Sequence, residues 1–264
     1  MFQNLVRRLF PFGRGLTHAY WAPNIWALYN FADIILTKYV VSGDGAAGSQ
    51  VTRGLVGLYD TNTLPTVKPS HCAILALLCM LPILYKVWLR PNPKIFLPAS
   101  LYVMMCSFMC LYHVHEKAIL MVTIPLSLIG LDSTTHAKLA FRFNVVANCS
   151  LLPLLPNMQE TPIKLVLLLI HSVVLYVVLH TELKIYQDAN NIVQSGLGTT
   201  KLQWFYISGF AVIQMVYSVI QPVFFPKYEF LPLMMFSVYS AFGFMYCWYK
   251  CYRLVLETIN IVFN

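Results

Sequence analysis

From residue 70 onward the chain alternates long apolar runs with short polar breaks. The runs fall at residues 70–89, 95–112, 118–131, 139–156, 162–180, 202–225 and 230–249. An α-helix needs about 20 predominantly apolar residues to cross roughly 30 Å of hydrocarbon, and tilt accommodates some variation. The pattern therefore predicts an all-α, polytopic membrane helix bundle of about seven transmembrane helices, with 118–131 the shortest crossing. Pro82, Pro98, Pro125 and Pro153 lie inside or near the ends of these runs. That is tolerated where neighbouring helices satisfy the freed carbonyls.

The first 69 residues break the pattern. Residues 1–24 interleave arginines and aromatics with Pro11, Gly13, Gly15 and Pro23, which predicts a loop on a membrane surface. Residues 25–41 are apolar but contain Asp33 and Lys38, so an amphipathic or re-entrant helix is expected there. A glycine-rich polar connector then fills 42–69.

Composition agrees with the pattern. Only 11% of residues are charged, against about 25% in soluble domains. The net charge of +8 does not point to nucleic acid, because the lysines and arginines sit mostly at the ends of apolar runs rather than in a basic stripe. Lys86, Arg90 and Lys94, with no acid among them, place the turn after the first run on the cytoplasmic side, and Lys250 and Arg253 do the same for the end of the chain. Alternation then divides the chain into a luminal region 1–69, a bundle 70–249 and a cytoplasmic tail 250–264. The seven cysteines lie in or beside apolar runs and read as small buried residues. Asn148-Cys149-Ser150 matches a glycosylation sequon but falls within a run.

Two polar clusters interrupt this apolar background. Residues 112–117, YHVHEK, sit between two runs. A charge at the bilayer centre costs roughly 2.5–3.5 kcal/mol on insertion scales, so such a cluster belongs at a membrane face or in a watery cavity. Read as a helix, it sets His113, Glu116 and Lys117 on one face and turns His115 nearly opposite His113, which disfavours a metal site. No metal and no cofactor is expected. A solvated helix end with a Glu116–Lys117 pair explains the cluster, and so does recognition of a phosphate headgroup. The second cluster, Arg7, Arg8, Arg14 and His18, offers forked donors matched to phosphate oxygens. Asp33, Asp44, Asp60 and Glu160 are the acids in the presumed luminal loops; Asp33 is the best local candidate for a general base. The residues alone leave open a membrane transporter or a non-catalytic assembly subunit.

Two strings narrow this. RLFPFGRGL at 8–16, continuing into HAYWAPNIWALYN at 18–30, and VHEKAIL at 114–120 closely resemble the dolichyl-phosphate-glucose-dependent α-1,3-glucosyltransferases of the endoplasmic reticulum. HAYWAPN is most similar to members that add the second glucose to the lipid-linked oligosaccharide. The resemblance covers the whole chain. It implies a multi-pass GT-C enzyme of the endoplasmic reticulum membrane that moves glucose, with inversion and without a metal ion, from dolichyl phosphate glucose to a monoglucosylated dolichyl-diphosphate oligosaccharide in protein N-glycosylation. It also implies that Arg14, His18, His115, Glu116 and Lys117 line the donor and acceptor pocket. Family members carry an earlier half with an aspartate base in a context like Leu-Asp-Tyr-Pro-Pro. That motif is absent from these residues, so the chain is expected to match the C-terminal half, to leave the catalytic base unknown, and to be inactive alone.

Overall fold

The computed structural model describes residues 15–18, 20–40, 61–189, 197, 198 and 200–263. Its α-helices are α1 (Ile25–Val40), α2 (Pro69–Leu89), α3 (Pro93–Cys110), α4 (Leu120–Ile129), α5 (Thr134–Leu151), α6 (Thr161–Ala189), α7 (Lys201–Met215), α8 (Gln221–Phe224) and α9 (Leu231–Phe263). A π turn at Val216–Ile220 joins α7 to α8. The described residues form no strand beyond one isolated bridge, and the chain is an all-α polytopic membrane bundle.

Helices occupy all seven predicted runs, but five are long and apolar enough to cross a membrane: α2, α3, 161–185 of α6, the continuous stretch 201–224, and α9. The run at 118–131 departs from a crossing because a 3₁₀ turn, Glu116–Ile119, takes its start and Gly130 stands at the end of α4. The remaining 10 residues rise only about 15 Å, half the hydrocarbon thickness. In the run at 139–156, α5 begins early enough to include His136, Lys138 and Arg142, and most of its surface is buried against other helices. It is a core helix rather than a lipid-facing one. Beyond residue 249, α9 runs unbroken to Phe263, so the residues expected to form the tail are helical. The predicted short helix before the bundle is present as α1, whereas the connector at 42–60 lies outside the described residues.

At the centre, α9 packs on α3, α5 and α1, while α2 covers α3 and α6 covers α5. Phe244 of α9 is the hub, with ring centroids 5.6 Å from Phe108 and 5.4 Å from Phe143. The seven cysteines are all free thiols, and six are buried. Asn148 lies inside α5 and donates from its side chain to the Asn144 carbonyl at 2.9 Å, so the sequon is helical backbone rather than an exposed loop.

α7 is held to α9 by a reciprocal clasp. Tyr206 and Tyr239 stack at 4.6 Å with their planes 9° apart, and each hydroxyl donates to the other's carbonyl at 2.7 Å. Each phenol needs a helix surface without a side chain to lie on. A Cβ at Gly209 would collide with the Tyr239 hydroxyl, and one at Gly243 with the Tyr206 hydroxyl. Gly243→Ala is therefore expected to destabilise the bundle by about 1–3 kcal/mol through overpacking, despite alanine's better helix propensity. A thermal melt in micelles in which Gly243→Ala matched or exceeded the parent would contradict the clasp.

Candidate functional site

The HAYWAPNIWALYN string is an anchoring device. Its polar and aromatic groups reach the ends of three bundle helices. Tyr20 Oη donates to the Ser150 carbonyl at 2.9 Å, and Asn24 Nδ2 to the Phe108 carbonyl at 3.2 Å. Trp26 Nε1 is shared between the carbonyls of Cys110 and Leu111, both at 3.1 Å. The carbonyl of fully buried Trp21 accepts from Ser237 Oγ at 2.8 Å. Asn24 also caps α1, its Oδ1 accepting the Trp26 N–H at 3.0 Å. These contacts fix residues 20–26 across one end of the bundle, where α3 and α5 finish and α9 begins.

The anchor sets its first histidine against the second cluster. Thr17 forms an isolated parallel bridge with Val114, and the His113 N–H donates to the Leu16 carbonyl at 2.9 Å. His113 consequently adopts φ 53°, in the left-handed region that non-glycine residues seldom enter. Its Nδ1 lies 2.9 Å from the Gly15 carbonyl, so Nδ1–H donates there, and Gly15 itself has φ 88°. His115 is extended, and the chain turns into 3₁₀ form only at Glu116.

This overturns the helical reading of 113–117 and its geometric objection to metal. Pairing with residues 16–17 draws the segment out, so both neighbouring imidazoles flank His18. The ring centroids of His18 and His115 are 4.6 Å apart, and those of His18 and His113 are 5.8 Å apart. Glu116 pairs with its neighbour rather than with Lys117: Oε1 lies 3.0 Å from His115 Nδ1. The Glu116 side chain is 1% exposed and that of His115 is 48% exposed, so the carboxylate forms the floor and the imidazole the rim. Glu116 Oε2 is buried and has no hydrogen-bond partner among the described residues. Burial, and secondarily the Glu116 charge, push the Tyr20 phenol well above its usual range, which keeps it a neutral donor to Ser150.

Of the predicted site residues, the structure brings together His18, His115 and Glu116. Lys117 follows directly and is exposed. Arg14, like Arg7 and Arg8, lies outside the described residues. His113, absent from the predicted pocket set, joins the cluster through its ring contact with His18; only its place in YHVHEK signalled it. Asp33 is not a proton acceptor for a substrate. It is fully buried in α1, and its carboxylate accepts the backbone N–H groups of Asn62, Thr63 and Leu64 at 2.8–3.1 Å, tethering 61–64 to the helix.

The fold and this cluster define a polytopic helical membrane protein with a polar cluster of imidazoles and one buried carboxylate at one end of the bundle. Residues 1–251 match the family model described as "ALG6, ALG8 glycosyltransferase family", and the chain belongs to that family. It is similar to proteins named dolichyl pyrophosphate Glc1Man9GlcNAc2 alpha-1,3-glucosyltransferase. Identity is 36% with the Arabidopsis thaliana protein, over 96% of this chain and 52% of that one. With the Mus musculus protein it is 34%, over 94% and 47%. With the Gibberella zeae protein it is 40%, over 92% and 49%. The chain spans about half the length of the curated relatives it matches.

Proposed function

We propose that this chain supplies the lipid-phosphate and sugar-binding part of an inverting α-1,3-glucosyltransferase of the endoplasmic reticulum membrane. The donor is dolichyl phosphate glucose and the acceptor a dolichyl-diphosphate oligosaccharide already bearing one glucose. The observation that carries this reading is the convergence of His18, His115 and Glu116, from two separated motifs, at one end of a membrane bundle. The names of the relatives support the acceptor class.

The chemistry follows from the groups present. When the glucose C1–O bond breaks, negative charge accumulates on the departing lipid phosphate, and donors placed around it lower the barrier. His115, Lys117 and Arg14 are assigned to that phosphate as donors. Glu116 Oε2, buried beside an exposed rim, is an acceptor in search of a donor, and a glucose hydroxyl provides one. His18, between the two rings of the 113–115 segment, fixes the approach of the sugar. A carboxylate must still take the acceptor's hydroxyl proton. Asp33 is occupied by three backbone amides, so that carboxylate is assigned to the part of the relatives that this chain does not match.

The test is a chimera joining this chain to the remaining half of a relative, reconstituted in liposomes with both lipid-linked substrates. The expected result is an acceptor heavier by one hexose, with no such product from the 264-residue chain alone. A chimera that assembles yet transfers no glucose would overturn the assignment.

A further inference from the structure

We propose that His18, His115 and Glu116 form a three-ligand site for a Zn²⁺-class ion, whose occupancy antagonises rather than supports glucosyl transfer. One ring nitrogen from each histidine and one carboxylate oxygen of Glu116 lie within 4.8 Å of one another. Ligand atoms around a tetrahedral zinc, with bonds of about 2.0–2.2 Å, stand roughly 3.3–3.6 Å apart. The cluster therefore needs to close by about 1 Å. His115 has that freedom, since nearly half of its side chain is exposed.

An independent observation points the same way. Glu116 is 1% exposed, Oε1 meets His115, and Oε2 has no hydrogen-bond partner among the described residues. A buried carboxylate oxygen without a donor is costly, and a cation relieves it as well as a hydroxyl does. Two imidazoles and one carboxylate favour zinc and its neighbours over magnesium or calcium, which prefer all-oxygen shells. The half-exposed rim leaves a path in and a fourth position open to water. The left-handed His113 and its bond to Gly15 matter here because they hold the 113–115 segment extended beside His18.

The antagonism rests on the preceding functional reading. A metal ion takes the lone pair of His115 and the charge of Glu116, the same groups assigned to the donor phosphate and sugar. Ion and donor cannot both hold them.

The experiment titrates the purified chain in micelles with Co²⁺, reading the visible d–d band of tetrahedral cobalt, and then with Zn²⁺ against a chromophoric chelator. Micromolar or tighter zinc affinity is expected, with one ion bound. His18→Ala and His115→Ala should each weaken it by more than the roughly 10–100-fold seen for outer-shell changes. His171→Ala, an exposed imidazole on α6, should leave it unchanged, and near-ultraviolet circular dichroism checks that each variant keeps its packing. Affinity no better than millimolar, or micromolar binding that survives both His18→Ala and His115→Ala in folded protein, overturns the site. Metal binding is read without any transfer assay, so it stands or falls separately from the enzymatic reading. Zinc bound at these residues with donor affinity unchanged would uphold the ion site and overturn the donor assignment.

Discussion

Replacing Lys117 or His115 by glutamine, in a chimera completed from a relative, is expected to lower glucosyl transfer by about 10²–10³-fold per residue. Glutamine keeps hydrogen-bonding capacity and approximate length but removes the Lys117 charge or the His115 imidazole, and the leaving phosphate distinguishes the parent from the variant. A positioned charge acts on charge that develops in the transition state, so the loss should fall mainly on turnover, with a smaller effect on apparent donor affinity. Lys117→Arg is the matched control and should recover part of the rate, because a guanidinium also addresses phosphate oxygens. Lys117 is exposed, and His115, half-exposed, touches the core only through its pair with Glu116, which a glutamine amide can keep by donating to Oε1. Lost activity with an unchanged thermal midpoint therefore reads as chemistry. If both glutamine variants turn over at the parental rate, the phosphate assignment is wrong.

The second large effect is structural. Trp21→Ala should destabilise the bundle by about 3–5 kcal/mol, the usual range for emptying a large aromatic site. Trp21 is fully buried, and its ring meets Phe230 edge-on at 5.1 Å, so truncation leaves a void in the packed interior. The Ser237 bond to its carbonyl survives, since it involves backbone alone. At roughly 2–4 °C per kcal/mol for a chain of this size, the midpoint should fall by about 6–20 °C. Trp88 is 85% exposed on α2, and its alanine variant should move the midpoint little. Equal losses at the two positions would mean that residues 20–26 are not the staple described.

What the sequence made legible follows from how local each signal is. Apolar length alone located the seven runs, and helices formed in all of them. How many cross the membrane was not local: α5 carries Arg142 and Lys138 because neighbouring helices rather than lipid bury most of it, and no one-dimensional pattern reveals its partners. The site shows the same division. His18, His115 and Glu116 stood out as ionisable groups in an apolar chain, yet their arrangement required Leu16 and Thr17, about a hundred residues earlier, to pull the backbone at 113–114 into an extended pairing. Local propensity favoured a helix there, and tertiary pairing prevailed. Asp33 misled for a related reason. A carboxylate in an apolar helix looks reactive until the three amides that surround it, roughly thirty residues downstream, are in place.

The Tyr206–Tyr239 clasp bears on motion within the bundle. Because each phenol is tied to a carbonyl on the opposite helix and lies over a glycine there, a slide of one residue, about 1.5 Å, breaks both ties and drives a ring into a neighbouring side chain. α7 and α9 therefore move as one plank. Any sliding between helices must therefore fall at another seam, and the furrow lined by α5, α6 and α7 is almost entirely apolar, with no comparable polar tie across it among its lining residues.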